Sequence, residues 1–206
     1  MIIAVDGPTA SGKGTIAKAL AAHFGLPHLD TGLLYRAVGR QCALNHGDAD
    51  NPGDAFTACT FPDSLLADPE LRSETSGGFA SRVSVHPGVR RALYERQRQF
   101  ALQPGGAVLD GRDIGTVIAP EAEVKLFVVA SVPARAERRF KEMQAAGRSV
   151  SLAAIAADLE RRDARDRSRA EAPLVAASDA VMLDTSDFSP AVAVARAIAL
   201  AEARRD

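Results

Sequence analysis

At 206 residues, 47% of them hydrophobic, the chain has the size of one α/β unit with one or two small inserted subdomains and ample apolar material for a core. A net charge of −1, no Trp, two Tyr and only eight Phe argue against a polyanion-binding surface and leave little material for stacking on nucleic acid. No apolar run is long enough to span a membrane, the N-terminus opens on a strand pattern rather than a signal peptide, and a cytoplasmic protein is expected, with Cys42 and Cys59 as reduced structural thiols.

The first element predicted is a strand at residues 2–5, a short β-branched run, followed by Gly7-Pro8-Thr9-Ala10-Ser11-Gly12-Lys13-Gly14-Thr15 and then a helical pattern from Ile16 to Ala22. Strand, glycine loop and helix together make the context of a phosphate cradle. Gly7 and Gly12 allow successive N–H groups to surround phosphate oxygens, the helix N-terminus adds partial positive charge, and Lys13 reaches the outer phosphates. The ending GKGT places Gly14 where the strict pattern has Ser or Thr, which is closer to nucleoside monophosphate kinases than to signalling GTPases. Thr15 is then the candidate hydroxyl for Mg²⁺, directly or through water.

A second strand is expected at 27–30, closing on Asp30-Thr31-Gly32 with Tyr35 and Arg36 one turn into a helix. Arg36 is placed for a second phosphate, although Thr31 suits an ordinary helix cap and Arg36 an ordinary surface position. Residues 45–88, rich in Pro, Gly, Asp and Ser, are expected to form a loosely structured excursion before a helix from Val89 to Gln99. A third strand at 107–110 closes on Asp110-Gly111-Arg112-Asp113. An aspartate ending a strand opposite a phosphate loop orients Mg²⁺, often through water, while Arg112 offers a planar fork to phosphate and Asp113 an acceptor to a ligand N–H. The bland alternative is a turn with a capping Asp and a solvent-paired Arg.

Further strands are expected at 124–129 and 180–183, and helices at 133–146, 151–169 and from Pro190 to about Arg204. Strands alternating with helices imply a five-stranded parallel sheet wrapped by helices, with ligands at the carboxyl ends of the strands. Asp6, Asp30 and Asp110 all lie at such ends. The stretch 161–169 holds five arginines, Arg161, Arg162, Arg165, Arg167 and Arg169, among two aspartates. By itself this reads as a solvated helix face; beside phosphoryl transfer it reads as a closing lid that brings cations and excludes water.

At these residues the chain resembles the bacterial cytidylate kinases. The resemblance rests on GPTASGKGT at 7–15, LDTGLLYR at 29–36, HPGVRRALYERQR at 86–98, DGRDIGTVIAP at 110–120 and RRDARDRSRAEAPL at 161–174. It covers most of the chain outside 37–80, and it implies an ATP-dependent kinase that converts CMP or dCMP to CDP or dCDP, a P-loop kinase fold, and Mg²⁺ as cofactor with ATP. Carried across, residues 7–15 bind ATP, with Lys13, Arg112, Arg165 and Arg169 catalytic and Thr15 and Asp110 toward the metal. Arg36, Arg112 and Arg169 match contacts to the CMP phosphate; Ser81, Arg90 and Asp113 match contacts to cytosine; Arg162 and Asp166 match residues that hold the ribose. Thr31 and Tyr35 complete the CMP set. The resemblance makes one kinase domain of the whole chain, with 31–105 as the nucleoside-monophosphate region and 147–170 as the lid, acting as a monomer without nucleic-acid or membrane partners. The family often carries a small sheet-bearing insert before the Ser81 region; residues 60–75 are too short and polar for it. Two other readings stay open: a kinase of the same fold acting on UMP or another small metabolite such as shikimate, and a GTP-dependent switch, which the lack of an Asn-Lys-x-Asp guanine-reading motif disfavours.

Overall fold

The computed structural model describes residues 1–205. Its five strands are β1 (Ile2–Asp6), β2 (His28–Asp30), β3 (Ala107–Gly111), β4 (Val124–Val129) and β5 (Val181–Asp184), in the order β2-β3-β1-β4-β5. The expected strands are all present, their ends shifted by a residue at most. β1 pairs in parallel with β3 on one side, Ile3 opposite Val108, and with β4 on the other, Ile3 opposite Val124. Every residue of β1 and β3 is buried, which is why both are continuous apolar runs closing on a single aspartate each rather than alternating patterns. β5, paired only with β4, alternates instead: Leu183 is buried while Met182 and Asp184 are exposed.

Two compact units divide the chain, one comprising residues 1–28 and everything from Ala101 onward, the other Leu29–Phe100. In the first, helices α1 (Lys13–Phe24) and α8 (Pro190–Arg205) pack Ile16, Leu20, Ala193, Ala197 and Ala201 on sheet residues Ile3, Val5, Val108, Leu126 and Val128. The alanines recur every four residues, so they line one stripe of α8 and let it lie close to its neighbours. Helices α6 (Val132–Ala145) and α7 (Leu152–Arg167) share a smaller core of Ala136, Met143, Ile155 and Leu159. Ser131 and Ser151 cap their N-termini through side-chain oxygens.

The Leu29–Phe100 unit corrects one expectation. Residues 45–88 are largely helical rather than loosely structured: α2 (Thr31–Leu44) is followed by α3 (Pro52–Thr57), by 3₁₀ turns at Ala58–Thr60, Asp63–Ala67 and Pro69–Arg72, and by α4 (Glu74–Val83), before α5 (Pro87–Ala101). Gly77 and Gly78 lower the intrinsic helix propensity of α4. Burial overrides it, because Leu34, Val38 and Cys42 of α2 cluster with Ala55, Phe61, Leu71, Val83, Val89 and Leu93. Residues 60–75 carry 3₁₀ turns and no strand, as their polarity implies. Cys42 and Cys59 are both free thiols, and burial pushes Cys59 up to about 11. Among the described residues no helix is long and apolar enough to cross a membrane.

Candidate active site

The loop from Gly7 to Gly12 joins the buried end of β1 to α1, whose first turn carries Lys13, Gly14 and Thr15. Gly7 is there because the loop lies against β4: a Cβ at this position would fall 2.1 Å from the Val128 carbonyl oxygen. Gly12, at φ 90°, turns the chain into the helix in a conformation other residues rarely adopt. Unlike α3, α4, α6 and α7, whose N-termini accept a side-chain cap from Asn51, Ser73, Ser131 and Ser151, α1 has neither a side-chain cap nor an acidic residue in its first turn. Such a helix start, with no side-chain cap and no acidic residue, suits an anion. Lys13 Nζ donates to the Pro8 carbonyl at 3.2 Å, folding the ammonium back over the loop. The Ser11 hydroxyl is buried and finds no hydrogen-bond partner among the described residues.

Asp110 lies near the end of β3, buried, with Oδ1 2.7 Å from His28 Nε2. Its other oxygen faces the first turn of α1, since a Cβ on Gly14 would sit 3.7 Å from Asp110 Oδ2. Thr15 is exposed on the same turn. A carboxylate oxygen and a hydroxyl at the mouth of a phosphate loop are hard donors of the kind Mg²⁺ takes alongside phosphate and water, so these residues fit that ion. Among the described residues no group of three or more His, Cys, Asp or Glu could hold a metal without such help.

Arg112 joins this loop to the arginine-rich segment. Its Nε donates to Asp166 Oδ2 at 2.8 Å and its Nη2 to Thr9 Oγ1 at 2.6 Å, so one guanidinium touches both the phosphate loop and α7. Arg169 packs against the same aspartate, Nη2 3.8 Å from Asp166 Oδ1 and Nε donating to the Asp166 carbonyl at 3.3 Å. Burial pushes the Asp166 carboxyl up, but Arg112, Arg169 and Lys13 outweigh it and hold the group below the usual carboxylate range. For Arg112 burial works against the charge, and Asp166, Asp110 and Asp6 restore and exceed it. Arg162 is buried beside Asp158, 2.8 Å away, whereas Arg165 is half-buried and Arg161 and Arg167 are exposed. The segment is therefore not a uniformly solvated face. Asp113 is buried and its side chain makes no cap for the short π-helical turn Ile114–Ile118 that follows it.

Two supports, the buried Arg135 and the half-buried Arg138, carried no signal in the sequence pattern, and a third, the buried Asp6, carried none beyond its place at the end of β1. Arg135, near the start of α6, forms a bidentate pair with Asp163 of α7 at 2.6 and 3.1 Å and donates to the Thr9 carbonyl at 3.1 Å. Arg138 donates to the Thr185 hydroxyl at 3.1 Å and to the Thr185 carbonyl, and the same hydroxyl donates to the Ser11 carbonyl at 3.0 Å. Asp6, the last residue of β1, accepts from the Ile114 amide at 2.9 Å and the Gly115 amide at 2.8 Å. Burial, with the nearby Asp113, pushes its carboxyl up to about 7 despite those two bonds and Lys13. A charged residue whose partner is a backbone group far along the chain has no local pattern to reveal it.

In the Leu29–Phe100 unit, Thr31 opens α2 just after Asp30, the N-cap residue, and both Thr31 and Tyr35 are buried. The Arg90 guanidinium lies 5.9 Å from the centre of the Tyr35 ring. Arg36 Nη1 donates to the carbonyls of Leu71 and Ser73 at 2.7 and 2.9 Å, which fixes its stem across the 3₁₀ segment. Ser81 sits half-buried on α4, its carbonyl accepting from the Ser84 hydroxyl at 3.1 Å.

A family model described as cytidylate kinase matches residues 3–203. Proteins named cytidylate kinase from Xanthobacter autotrophicus and Azorhizobium caulinodans are each 55% identical over 206 residues, covering all of this chain and 99% and 100% of the relative. A cytidylate kinase from Rhodopseudomonas palustris is 52% identical over the whole chain and 97% of the relative.

Proposed function

The chain belongs to the cytidylate kinase family, and from that membership we propose how its residues divide the work of the family reaction, ATP-dependent phosphorylation of CMP and dCMP to CDP and dCDP. Residues 7–15 hold the ATP phosphates, with Lys13 at the group in transit. Arg112 and Arg169 receive the acceptor phosphate, Asp113 accepts from the cytosine amino group, and Arg162 and Asp166 hold the ribose. Arg165 adds charge on closure of the lid, residues 147–170. Within residues 31–105 the family pattern assigns Arg36 to the acceptor phosphate and Ser81 and Arg90 to the base, with Thr31 and Tyr35 completing the lining.

The chemistry asks little of a general base, because a nucleoside monophosphate already presents an anionic oxygen as nucleophile. Rate then comes from holding donor and acceptor in line and from fixed positive charge around the moving phosphoryl group. Mg²⁺, held toward Asp110 and Thr15, would supply further neutralisation of the ATP phosphates. Asp166 keeps the two acceptor arginines in place between turnovers, since their mutual repulsion is offset by its buried charge. The observation that supports this division best is the Arg112 guanidinium shared between Thr9 and Asp166: one side chain meets the donor loop and the acceptor cluster. A cytoplasmic monomer serving nucleotide metabolism is the setting proposed.

The test is ADP release from ATP and Mg²⁺ with CMP, dCMP, UMP, AMP, GMP and shikimate in turn. CMP and dCMP are expected to lead by a wide margin in kcat/KM. Preference for UMP or shikimate would move the chain to a related kinase activity, and nucleotide binding without transfer would favour a switch.

A further inference from the structure

We propose that Asp6 is a positioning residue for acceptor recognition, its two carboxylate oxygens holding the Ile114 and Gly115 amides and, through them, the orientation of Arg112 and Asp113. The inference rests on the assignment of Arg112 and Asp113 to the acceptor nucleotide. The sheet fixes the chain up to Gly111, which pairs with Asp6 across the β1–β3 ladder. Beyond it the ladder ends; the Asp113 carbonyl accepts from the Val117 and Ile118 amides of the turn at 2.9 and 3.1 Å, and the turn is tied back to the sheet by the two amides that Asp6 accepts at 2.9 and 2.8 Å. Residues 112 and 113 lie between these two anchors, so the span carrying both acceptor contacts is held at each end by the tip of β1.

Only a carboxylate offers two equivalent acceptors on one short planar group. An asparagine would offer one acceptor and turn an NH₂ group toward the other amide, so one bond would become a donor-to-donor contact. The carboxylate is 5% exposed, and Asp113 close by disfavours a second negative charge, while Lys13 and the two amides favour it. A buried charge placed near another of the same sign is costly to keep. Its geometry, aimed at backbone rather than at substrate, explains why it is nevertheless there. Gly115 lies against the same group: a Cβ would meet Asp6 Oδ2 at 3.5 Å, an ordinary contact, and crowd Lys125 Cδ at 3.2 Å, so a side chain there asks for a shift of a few tenths of an ångström beside the anchor.

The experiment compares Asp6→Asn, Gly115→Ala and, as reference, Asp113→Asn in steady-state assays with CMP, UMP and ATP, each beside a thermal melt. For Asp6→Asn the KM for CMP is expected to rise about tenfold, with the KM for ATP within about twofold of the parent and the CMP-to-UMP ratio of kcat/KM reduced. Gly115→Ala should move the same quantities in the same direction with the carboxylate intact, and it decides the matter should Asp6→Asn fail to fold. Parallel changes in both KM values, or an unchanged KM for CMP in a folded variant, would overturn the inference. If Asp113→Asn impairs CMP use while Asp6→Asn does not, only the role of Asp6 falls; if Asp113→Asn leaves CMP use intact, the acceptor assignment falls and this inference with it.

Discussion

Lys13 and Arg112 are both cations of the proposed site, yet their surroundings predict different consequences of removal. Lys13 is half-buried at the mouth of the loop, where it donates to the Pro8 carbonyl at 3.2 Å, and Lys13→Ala should lower kcat/KM by about a hundredfold or more while the urea midpoint stays near the parent's. Activity within a few-fold of the parent would remove the lysine from the mechanism. Arg112 is different, because Asp166 is buried against it. Arg112→Ala should raise the KM for CMP far more than that for ATP, by the equivalent of about 1.5–3 kcal/mol, and should also lower the melting temperature, since it leaves a buried carboxylate short of its nearest counter-charge. A variant that binds both nucleotides equally poorly would place Arg112 outside the acceptor set.

Among elements, α6 and α7 are joined by a small apolar core and by the Arg135–Asp163 pair, both partners nearly inaccessible to solvent. Breaking such a pair from one side strands the other charge, and Asp163→Asn is expected to cost about 3–5 kcal/mol in urea unfolding. The double replacement Arg135→Met with Asp163→Leu should recover much of that stability, yet still raise the KM for ATP because the Thr9 carbonyl loses its donor. Equal stability of the single and double variants would show that the pair is not a strong constraint. Elements differ in how far the sequence discloses them. β1 and β4 are buried apolar runs flanked by turn signals, so local pattern and tertiary environment agree. The stretch 45–88 is the opposite case: its Pro, Gly and Ser favour turns locally, and its helices depend on burying Phe61, Leu71 and Val83, which no short window reveals. The site divides along the same line. Lys13, Arg112 and the arginines of 161–169 belong to contiguous motifs, whereas Asp6 reaches its amide partners across 108 and 109 residues of chain and Arg135 reaches Asp163 across 28.

For the molecule as a whole, the Asp6 carboxyl gives stability an unusual slope with pH. Its value is raised from 3.8 to about 7, so the folded chain binds this proton more tightly than the unfolded chain does. The group therefore adds no penalty below about pH 4, and a penalty that grows to about 4 kcal/mol as pH rises through 7. Asp166, Glu123, Asp179 and Asp184 are shifted the other way, and what they contribute is lost only in acid, below the ordinary carboxylate range. Between pH 5 and 8 the urea midpoint of the parent should fall, and that of Asp6→Asn should fall less; identical slopes would mean that Asp6 titrates normally. The uncapped start of α1 has a consequence of another kind. Among the described residues, α3, α4, α6, α7 and α8 carry a side-chain cap of their own, whereas α1 has none. Under the proposed role of residues 7–15, nucleotide would take the place of a capping residue for this helix, so ATP binding is expected to stabilise the first turn of α1 together with the whole fold.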